Sequence, residues 1–352
     1  MKGLLSALLV ALATHASSSN ASPNHPNPPI RTVHTFPNNT FLENIAVRPN
    51  GHLLLTSVTV PSLFTIDPTI PNPPAPALYT FPNATGLTGI TEITPDIFAL
   101  VTGTWDLSTG RAALGSIGIW TVDFASTLLS PSSSPKVNFV TTIAESTVIN
   151  GLARHPTNPR LLLAADSARG ALWRVDLLTG AVDVAFEDAA LFAPTGTGSG
   201  KNLGINGLRT RVEHGKGYVY FGNLAKGLFG RVRVDEEGAK VGDGEVLATR
   251  KGVVAEMEYD DFAFETRKNV GGRKGGNAVW MAAHPSYLVR VDLPSGEQWV
   301  VNDTEKLSKP TSAAFGRGVR KQERTLYVTN GGEQVGGNLV NERLVAVDLG
   351  GC

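Results

Sequence analysis

The chain has 352 residues, of which 41% are hydrophobic and 18% are charged. Its 31 basic residues balance its 31 acidic ones, which excludes the strong charge field typical of proteins that bind nucleic acid or acidic partners. The low charged fraction is typical of a folded chain, and the single cysteine, Cys352, excludes an internal disulfide.

Residues 1–21 have the pattern of a secretory signal peptide. Lys2 supplies a basic end, an apolar stretch follows from Gly3 to Ala13, and small residues allow cleavage near Ala16 or Ala21. The alternative is a disordered tail on a cytosolic protein. The signal-peptide pattern predicts secretion or entry into the secretory pathway. Because the apolar stretch is too short to cross a bilayer, we expect no membrane span.

Residues 22–30 are rich in Pro and polar residues, which predicts a disordered linker. Glycosylation sequons occur at Asn20, Asn38, Asn83 and Asn302. The last three would remain after cleavage of the signal peptide, and they predict a secreted glycoprotein.

A repeat occupies the rest of the chain. Six apolar segments end in aspartate at intervals of about 53 to 59 residues, which is within the range of propeller blades. The aspartates are Asp67, Asp123, Asp176, Asp235, Asp292 and Asp348. Each repeat begins with a short strand, continues through a turn and an apolar strand such as LLLTS (53–57), and then reaches the segment that ends in aspartate.

Five of the six repeats continue into a fourth strand, such as ALYTF (77–81), but the sixth reaches Cys352 first. The segment Thr32–Phe36 resembles the strand at 77–81, and Pro-Asn follows both. We therefore expect it to supply the missing strand and close the ring, which removes the exposed sheet edges. The prediction is an all-β, six-bladed propeller with four strands per blade, formed by residues 31–352 as one domain and expected to be monomeric.

The first strand of each blade lines the channel of a propeller, so one position per repeat is expected to form a ring at its mouth. Alignment of the turn prolines gives the positions Glu43, Gly89, Asn150, Asn206, Asp260 and Thr311. Four of the six carry carboxylate or carboxamide oxygens, which suit a hard cation such as Ca²⁺ or Mg²⁺ and equally suit a polar ligand. The alternative is that these side chains cap strand ends or bridge blades through buried water.

Three further residues are candidates for contact with a substrate. Thr311 completes the ring, His284 follows an apolar strand (VWMAA, 279–283), and Trp105 lies in a loop where it would suit the wall of an apolar pocket, although core packing is its default role. The run Gly196–Lys201 departs from the phosphate-binding loop motif at Thr195 and Asn202, so we interpret it as an inter-strand loop.

These repeats resemble the six-bladed senescence-marker protein/gluconolactonase-like propellers. The resemblance implies that Glu43, Asn206 and Asp260 are ligands of a divalent metal and that Asn150 lies beside the substrate. The most specific local match is the Asn-Gly pair at 150–151 and again at 206–207. The arginine that this family places near its substrate asparagine has no clear counterpart in this chain.

A closer resemblance is to a fungal branch of that superfamily. It is carried by motifs such as ENIAVRPNG (43–51), GINGLR (204–209) and PTSAAFGRG (310–318), and it covers nearly all of the mature chain. Some members of this branch are secondary-metabolite cyclases, including hetero-Diels–Alderases that join a quinone methide to a terpene alkene. The resemblance implies a similar cyclisation of an apolar, polyketide or terpenoid substrate.

Three functions are therefore open at this point. In a cyclase, Glu43 or Asp260 would act as a base and remove a proton to generate the reactive species, while Asn150 and Asn206 would hydrogen-bond a developing oxyanion. In a metal-dependent lactonase or esterase, Ca²⁺ held by Glu43, Asn206 and Asp260 would polarise a carbonyl group. The third alternative is a propeller that binds a ligand without catalysis.

Overall fold

The structure is a computed structural model that describes residues 27–125, 134–193, 202–250, 257–265, 269–270, 273–274, 277–318 and 322–349. The predicted signal peptide, residues 22–26 of the predicted linker, the loop 196–201 and Cys352 lie outside the described residues. In the described part of the chain, no helix is long and apolar enough to cross a membrane.

Six four-stranded antiparallel sheets form the blades of a propeller, as predicted. In chain order, the first strand is β1 (Ile30–Thr35), and blade one follows as β2 (Leu42–Val47), β3 (Leu53–Ser57), β4 (Ser62–Ile66) and β5 (Ala77–Thr80). Blade two contains β6 (Gly86–Thr94), β7 (Ile97–Gly103), β10 (Gly118–Asp123) and β11 (Lys136–Thr142), with the hairpin β8 (Trp105–Asp106) and β9 (Arg111–Ala112) inserted after β7. Blade three contains β12 (Ile149–Arg154), β13 (Leu161–Asp166), β14 (Ala171–Asp176) and β15 (Val182–Glu187).

The remaining blades repeat this order. Blade four contains β16 (Ile205–Glu213), β17 (Lys216–Asn223), β18 (Leu228–Val234) and β19 (Glu245–Thr249). Blade five contains β20 (Glu258–Phe264), β23 (Ala278–His284), β24 (Tyr287–Asp292) and β25 (Gln298–Asn302), with the hairpin β21 (Asn269–Val270) and β22 (Arg273–Lys274) after β20. Blade six contains β26 (Pro310–Phe315), a 3₁₀ turn (Gln322–Arg324), β27 (Thr325–Asn330), the hairpin β28 (Glu333–Val335) and β29 (Asn338–Val340), and β30 (Arg343–Asp348).

The N-terminal strand closes the ring, which confirms the sequence prediction. Strand β1 pairs antiparallel with β30 from Ile30↔Val347 to Thr35↔Arg343, as the outermost strand of blade six. The strand begins two residues earlier than predicted, and the carbonyl of Pro29 already accepts a hydrogen bond from Asp348 N at 3.0 Å. The end of the predicted linker therefore belongs to the propeller.

The hydrophobic core lies between neighbouring blades. At the closure, Val33 and Phe36 pack with Leu42 and Leu53 of blade one and with Tyr327 of blade six. The β-branched and aromatic residues that dominate the strands suit such packing, because their side chains fill the space between two pleated sheets. A blade thus buries its two faces against its neighbours, and the ring is stabilised as a unit.

Four of the six recurring aspartates, Asp67, Asp176, Asp235 and Asp292, have a structural role at the turns that follow their strands. Oδ1 of Asp67 accepts a hydrogen bond from Thr69 N at 3.0 Å, and Oδ1 of Asp176 accepts one from Leu178 N at 2.9 Å. These are Asx turns, in which a short side chain satisfies the backbone of the next residues. The repeat that reveals the fold is therefore not the part of the chain that forms a site.

Each innermost strand contains an irregularity in register near its start. The shifts lie between Leu42 and Ile45, Leu87 and Ile90, Ile149 and Leu152, Ile205 and Leu208, Tyr259 and Phe262, and Pro310 and Ser312. A β-bulge releases residues from the ladder and redirects their side chains. Because the inner strands all begin at the same end of the channel, which we call the site end, the bulges place six sets of side chains around one axis.

Candidate active site

A cavity of about 870 Å³ opens at the site end of the channel. Its wall includes Glu43 from blade one, Asn150 from blade three, Asn206 from blade four and Asp260 from blade five. His284 and Trp105 also line it. The structure therefore brings the four polar ring residues and two of the three predicted substrate contacts to the wall of one cavity.

The Asn-Gly pairs of blades three and four are explained by the approach of neighbouring inner strands. A Cβ atom on Gly151 would lie 2.3 Å from the carbonyl oxygen of Asn206, and one on Gly207 would lie 2.5 Å from the Cα atom of Asp261. No side chain fits at either position, so glycine is required. Within each bulge the asparagine lines the cavity and the glycine lets the next blade approach.

Glu43 is a buried carboxyl group held by Asn150. Nδ2 of Asn150 donates a hydrogen bond to Oε1 of Glu43 at 2.7 Å. Burial, together with the negative charge of Asp260, raises the pKa of Glu43 to about 8, although the bond from Asn150 acts in the opposite direction. Glu43 is therefore a carboxylic acid at neutral pH and can donate a proton.

Asp260, His284 and Glu258 form a chain of charged groups on blade five. Glu258 and His284 are direct partners across strands β20 and β23, and Nδ1 of His284 lies 3.3 Å from Oε2 of Glu258. Nε2 of the same ring lies 3.0 Å from Oδ2 of Asp260, within ion-pair distance but not aligned for a linear hydrogen bond. The imidazole thus lies between two carboxylates.

The electrostatics of this chain follow from its burial. Desolvation raises the pKa of Asp260, even though His284 favours its ionised form. Burial alone would lower the pKa of His284, but the two carboxylates outweigh it, so the pKa of His284 is raised. The hydrogen bond from His284 is the largest cause of the lowered pKa of Glu258. The carboxyl groups of Glu43 and Asp260 therefore hold protons more tightly than exposed carboxyl groups do.

Three oxygen atoms in the cavity wall are buried and have no hydrogen-bond partner within the described chain: Oδ1 of Asn150, Oδ1 of Asn206 and Oδ1 of Asp260. An unsatisfied buried acceptor costs about 1–3 kcal/mol. The oxygen-only donor set predicted for a metal (Glu43, Asn206, Asp260) fits a hard cation such as Ca²⁺. Among the described residues, no three His, Cys, Asp or Glu side chains are grouped to hold a metal, so a cation here would depend on the amide oxygens.

The upper wall of the cavity is mainly apolar. Phe41, Val58, Val148, Leu203, Leu224 and Leu307 line it within the propeller. The inserted hairpins add Trp105 and Leu107 from β8–β9 and Leu339 from β28–β29. Trp105 packs against the backbone of Gly103, where a Cβ atom would lie 2.9 Å from its Nε1. The cavity therefore combines a polar floor with an apolar wall.

Two ring predictions differ from the structure. Thr311 is not part of the cavity wall, because its hydroxyl donates to the carbonyl of Leu42 at 3.0 Å and joins blade six to blade one. In blade two the cavity is lined by Thr88 instead of Gly89. Both residues lie in the bulge between Leu87 and Ile90, and the first of the two, not the predicted second, faces the cavity. A Cβ atom on Gly89 would lie 2.2 Å from the carbonyl oxygen of Asn150, so Gly89 has the role of the other bulge glycines.

Glu258 and Lys309 also line the cavity, and neither was predicted from the sequence. Glu258 lies two residues before Asp260 on the same strand, so the alternation of side chains in EYD (258–260) would have placed both on one face. Lys309 has a φ of +55°, and its Nζ lies 5.3 Å from the centre of the Phe41 ring. Nothing in the sequence alone distinguishes this lysine from the others.

Two relatives match nearly the whole chain. It is 28% identical over 348 residues to a protein of Phoma sp that carries the provisional name hetero-Diels–Alderase, with 92% of this chain and 91% of that protein covered. It is 26% identical over 342 residues to a protein of Sarocladium schorii with the same provisional name, with 91% and 82% covered. No protein-family profile matches the chain.

Solved structures show the same fold at low identity. A luciferin-regenerating enzyme superposes with a TM-score of 0.62 at 14% identity, covering 92% of this chain and 95% of that one. A streptogramin B lyase superposes with a TM-score of 0.55 at 9% identity, covering 92% and 98%. The resemblance predicted from the sequence is confirmed: the chain is a six-bladed propeller related to fungal proteins named hetero-Diels–Alderases.

Proposed function

We propose that this chain is a cyclase of secondary metabolism that catalyses a hetero-Diels–Alder-like cycloaddition in the cavity at the site end. The observation that carries the proposal is a single cavity with a floor of proton-donating and proton-accepting groups beneath an apolar wall. The relatives named hetero-Diels–Alderases support the reaction class.

The apolar wall supplies the first part of the mechanism. A cavity of about 870 Å³ has room for a medium-sized natural product. Holding two reacting ends in an attack geometry can remove about 7–11 kcal/mol from a barrier, because their relative motion is already restricted. Trp105, Leu107 and Leu339 would contact the alkene part of the substrate, since they come from the hairpins beside the mouth.

The polar floor supplies the proton transfers that create the reactive diene. In a hydroxymethyl phenol, Glu43 would protonate the benzylic hydroxyl as its C–O bond breaks, and water would leave. Asp260 would accept the phenolic proton, which leaves an ortho-quinone methide. The cycloaddition then forms one C–O and one C–C bond without a proton transfer, and return of the proton from Asp260 to Glu43 resets the site.

The amides position these groups. Asn150 holds Glu43 through the 2.7 Å bond, which leaves Oε2 of the acid to face a substrate oxygen. Asn206 contributes its amide to the same floor and would hydrogen-bond the developing oxyanion.

The test is a reaction of the purified protein with a hydroxymethyl phenol and an electron-rich alkene, followed by chiral chromatography of the adduct. The proposal predicts faster formation than in buffer and a clear excess of one enantiomer. A racemic adduct formed at the rate seen in buffer would refute it. The variant Asp67→Asn is a matched control, because this aspartate lies in an exposed turn outside the cavity.

A second candidate, a metal-dependent lactonase or esterase, is supported by the three unpartnered oxygens of the floor. Glu43, Asn206 and Asp260 would hold a hard cation, which when bound would polarise a lactone carbonyl. Metal analysis of the purified protein and the Ca²⁺ dependence of its melting temperature test this candidate without any substrate. Lactone hydrolysis that EDTA abolishes and Ca²⁺ restores would favour it over the cyclase.

We also propose that the protein is secreted and glycosylated. Asn38, Asn83 and Asn302 are all exposed, as acceptors of glycans must be. Expression in a eukaryotic secretory host should give a protein whose mass falls on glycosidase treatment. An unchanged mass would contradict glycosylation, and retention of residues 1–21 in the exported protein would contradict cleavage.

A further inference from the structure

Glu258 and His284 have a defined geometry that the mechanism above does not use. The two residues face each other across β20 and β23, so their Cβ atoms are neighbours on one face of the sheet. Asp260 follows Glu258 by two residues, and its carboxylate meets the other side of the imidazole. This series of three charged side chains runs inward from Glu258, which is 38% exposed, to Asp260, which is 4% exposed.

We infer that Glu258 and His284 are positioning residues that hold the Asp260 carboxylate in the orientation needed for proton transfer to or from the substrate. His284 contacts Oδ2 at 3.0 Å, while Oδ1 has no partner within the described chain. Oδ2 is therefore held by an ion-pair contact, and Oδ1 remains for the ligand. This inference rests on the proposed role of Asp260.

Glu258 matters because an imidazole ring needs two contacts to fix its orientation. The ring can rotate about its bond to Cβ, and the contact of Nδ1 with Oε2 at 3.3 Å restricts that rotation. At metal sites, partners that orient a histidine in this way typically contribute about 10- to 100-fold in affinity or activity, and we expect an effect of the same order here.

The same blade contains a carboxylate whose role is structural, and the two arrangements differ. Glu265 binds Arg290 through both carboxylate oxygens, at 2.6 and 3.1 Å, and accepts a bond from Trp280 Nε1 at 3.0 Å. That group is buried and both of its oxygens are paired. The chain from Glu258 instead ends at an unpaired oxygen in the cavity wall, which is the arrangement expected of a functional group.

The experiment compares Glu258→Leu, Glu258→Gln and Glu297→Leu. Glutamine keeps an oxygen that accepts the Nδ1 proton, leucine removes it, and Glu297 is an exposed glutamate of blade five outside the cavity. We expect Glu258→Leu to lower kcat about 10- to 100-fold with little change in KM. Glu258→Gln and Glu297→Leu should both stay within about threefold of the wild type, because neither removes the contact.

A second readout needs no substrate. In protein with ¹⁵N-labelled histidine, the Nδ1 proton of His284, assigned by its loss in His284→Gln, should give a downfield signal. That signal should persist in Glu258→Gln and disappear in Glu258→Leu. A wild-type kcat in Glu258→Leu, an unchanged signal in that variant, or an equal loss of kcat in Glu258→Gln would each overturn the inference. If the wild type has no cyclase activity, the proposed function fails, and the signal alone decides whether Glu258 fixes the ring.

Discussion

Each end of the channel contains a cavity, and the two cavities differ in how completely their polar side chains are paired. At the far end, where the inner strands finish, a cavity of about 640 Å³ is lined by apolar residues and by Glu92, Arg209 and Arg317. Arg317 binds Glu92 at 2.6 Å and the carbonyl of Val47 at 2.9 Å, and Arg209 binds Asp261 at 2.6 Å. At the site end, by contrast, Asn150, Asn206 and Asp260 each have an oxygen without a hydrogen-bond partner among the described residues. Oδ1 of Asp261 also has no partner there, although Oδ2 of the same residue is paired twice.

A cavity alone therefore does not identify a site in this propeller. At the far end the charged side chains of Glu92, Arg209 and Arg317 are partly exposed, and each binds an oppositely charged partner, so they do not require a ligand. At the site end the polar side chains are desolvated and incompletely paired, which lowers the stability of the fold. Such an arrangement is expected where a ligand uses the unpaired groups. Asp260 and Asp261 are adjacent in the sequence, yet Asp260 lines the cavity at the site end, whereas Oδ2 of Asp261 binds Arg209 and Ser312.

The largest expected effect is the difference between substitution of Asp260, which should lower turnover, and substitution of Asp261, which should lower stability. Asp260→Asn should lower turnover about 10²-fold or more, while the melting temperature stays the same or rises, because the amide has the same shape and removes a buried charge. Asp261→Asn should cost about 1–3 kcal/mol of unfolding free energy, because its carboxylate binds both Arg209 and Ser312 at 2.6 Å. Turnover and thermal melts of both variants check this prediction. Full turnover in Asp260→Asn would make the site end structural and favour a binding protein.

The next effect concerns Glu43 and pH. Its folded-state pKa of about 8 lies above the ordinary value of 4.5, so the folded state binds this proton more tightly than the unfolded state. The stability that this proton contributes is complete below about pH 4.5 and is lost as the pH rises through about 8. Glu43→Gln stays neutral at every pH. The melting temperature of this variant minus that of the wild type should therefore be larger at pH 9 than at pH 6.

The pH dependence of turnover should also be set by the ionisation of Glu43. If Glu43 is the acid, wild-type turnover should fall about tenfold per pH unit above pH 8, as the carboxylic acid ionises. Glu43→Gln should be slow at every pH, because it has no proton to donate. A pH profile that is flat between pH 7 and pH 10 would contradict this role for Glu43.

The smallest expected effect is at the far end. Arg317→Met removes the ion pair with Glu92, in which the side chains are 41% and 26% exposed. Such exposed pairs contribute about 0–1 kcal/mol, so a shift of only a few degrees in melting temperature is expected, with turnover unchanged. A tenfold loss of turnover would show that the two ends are coupled, and the comparison between them would fail.

The sequence was sufficient to predict the architecture. Strand periodicity, the turns and the repeated aspartates are local features, and their spacing defined six blades before any contact was known. The closing strand followed from a count, because the sixth repeat lacked a fourth strand and the segment at Thr32–Phe36 could supply it. Glu43, Asn150, Asn206 and Asp260 were found in the same way, since equivalent positions in a ring face the same axis.

The details of the site depend on strand register and on neighbours in other blades, which the sequence does not reveal. The bulges determine which of two adjacent residues lines the cavity, and so they select Thr88 over Gly89. The contact between blades six and one directs Thr311 away from the cavity. Glu258 and His284 are 26 residues apart in sequence, and only the pairing of β20 with β23 makes them partners around Asp260. Repetition along a chain determines which residues are equivalent, whereas chemistry depends on contacts between strands, and these are set by packing.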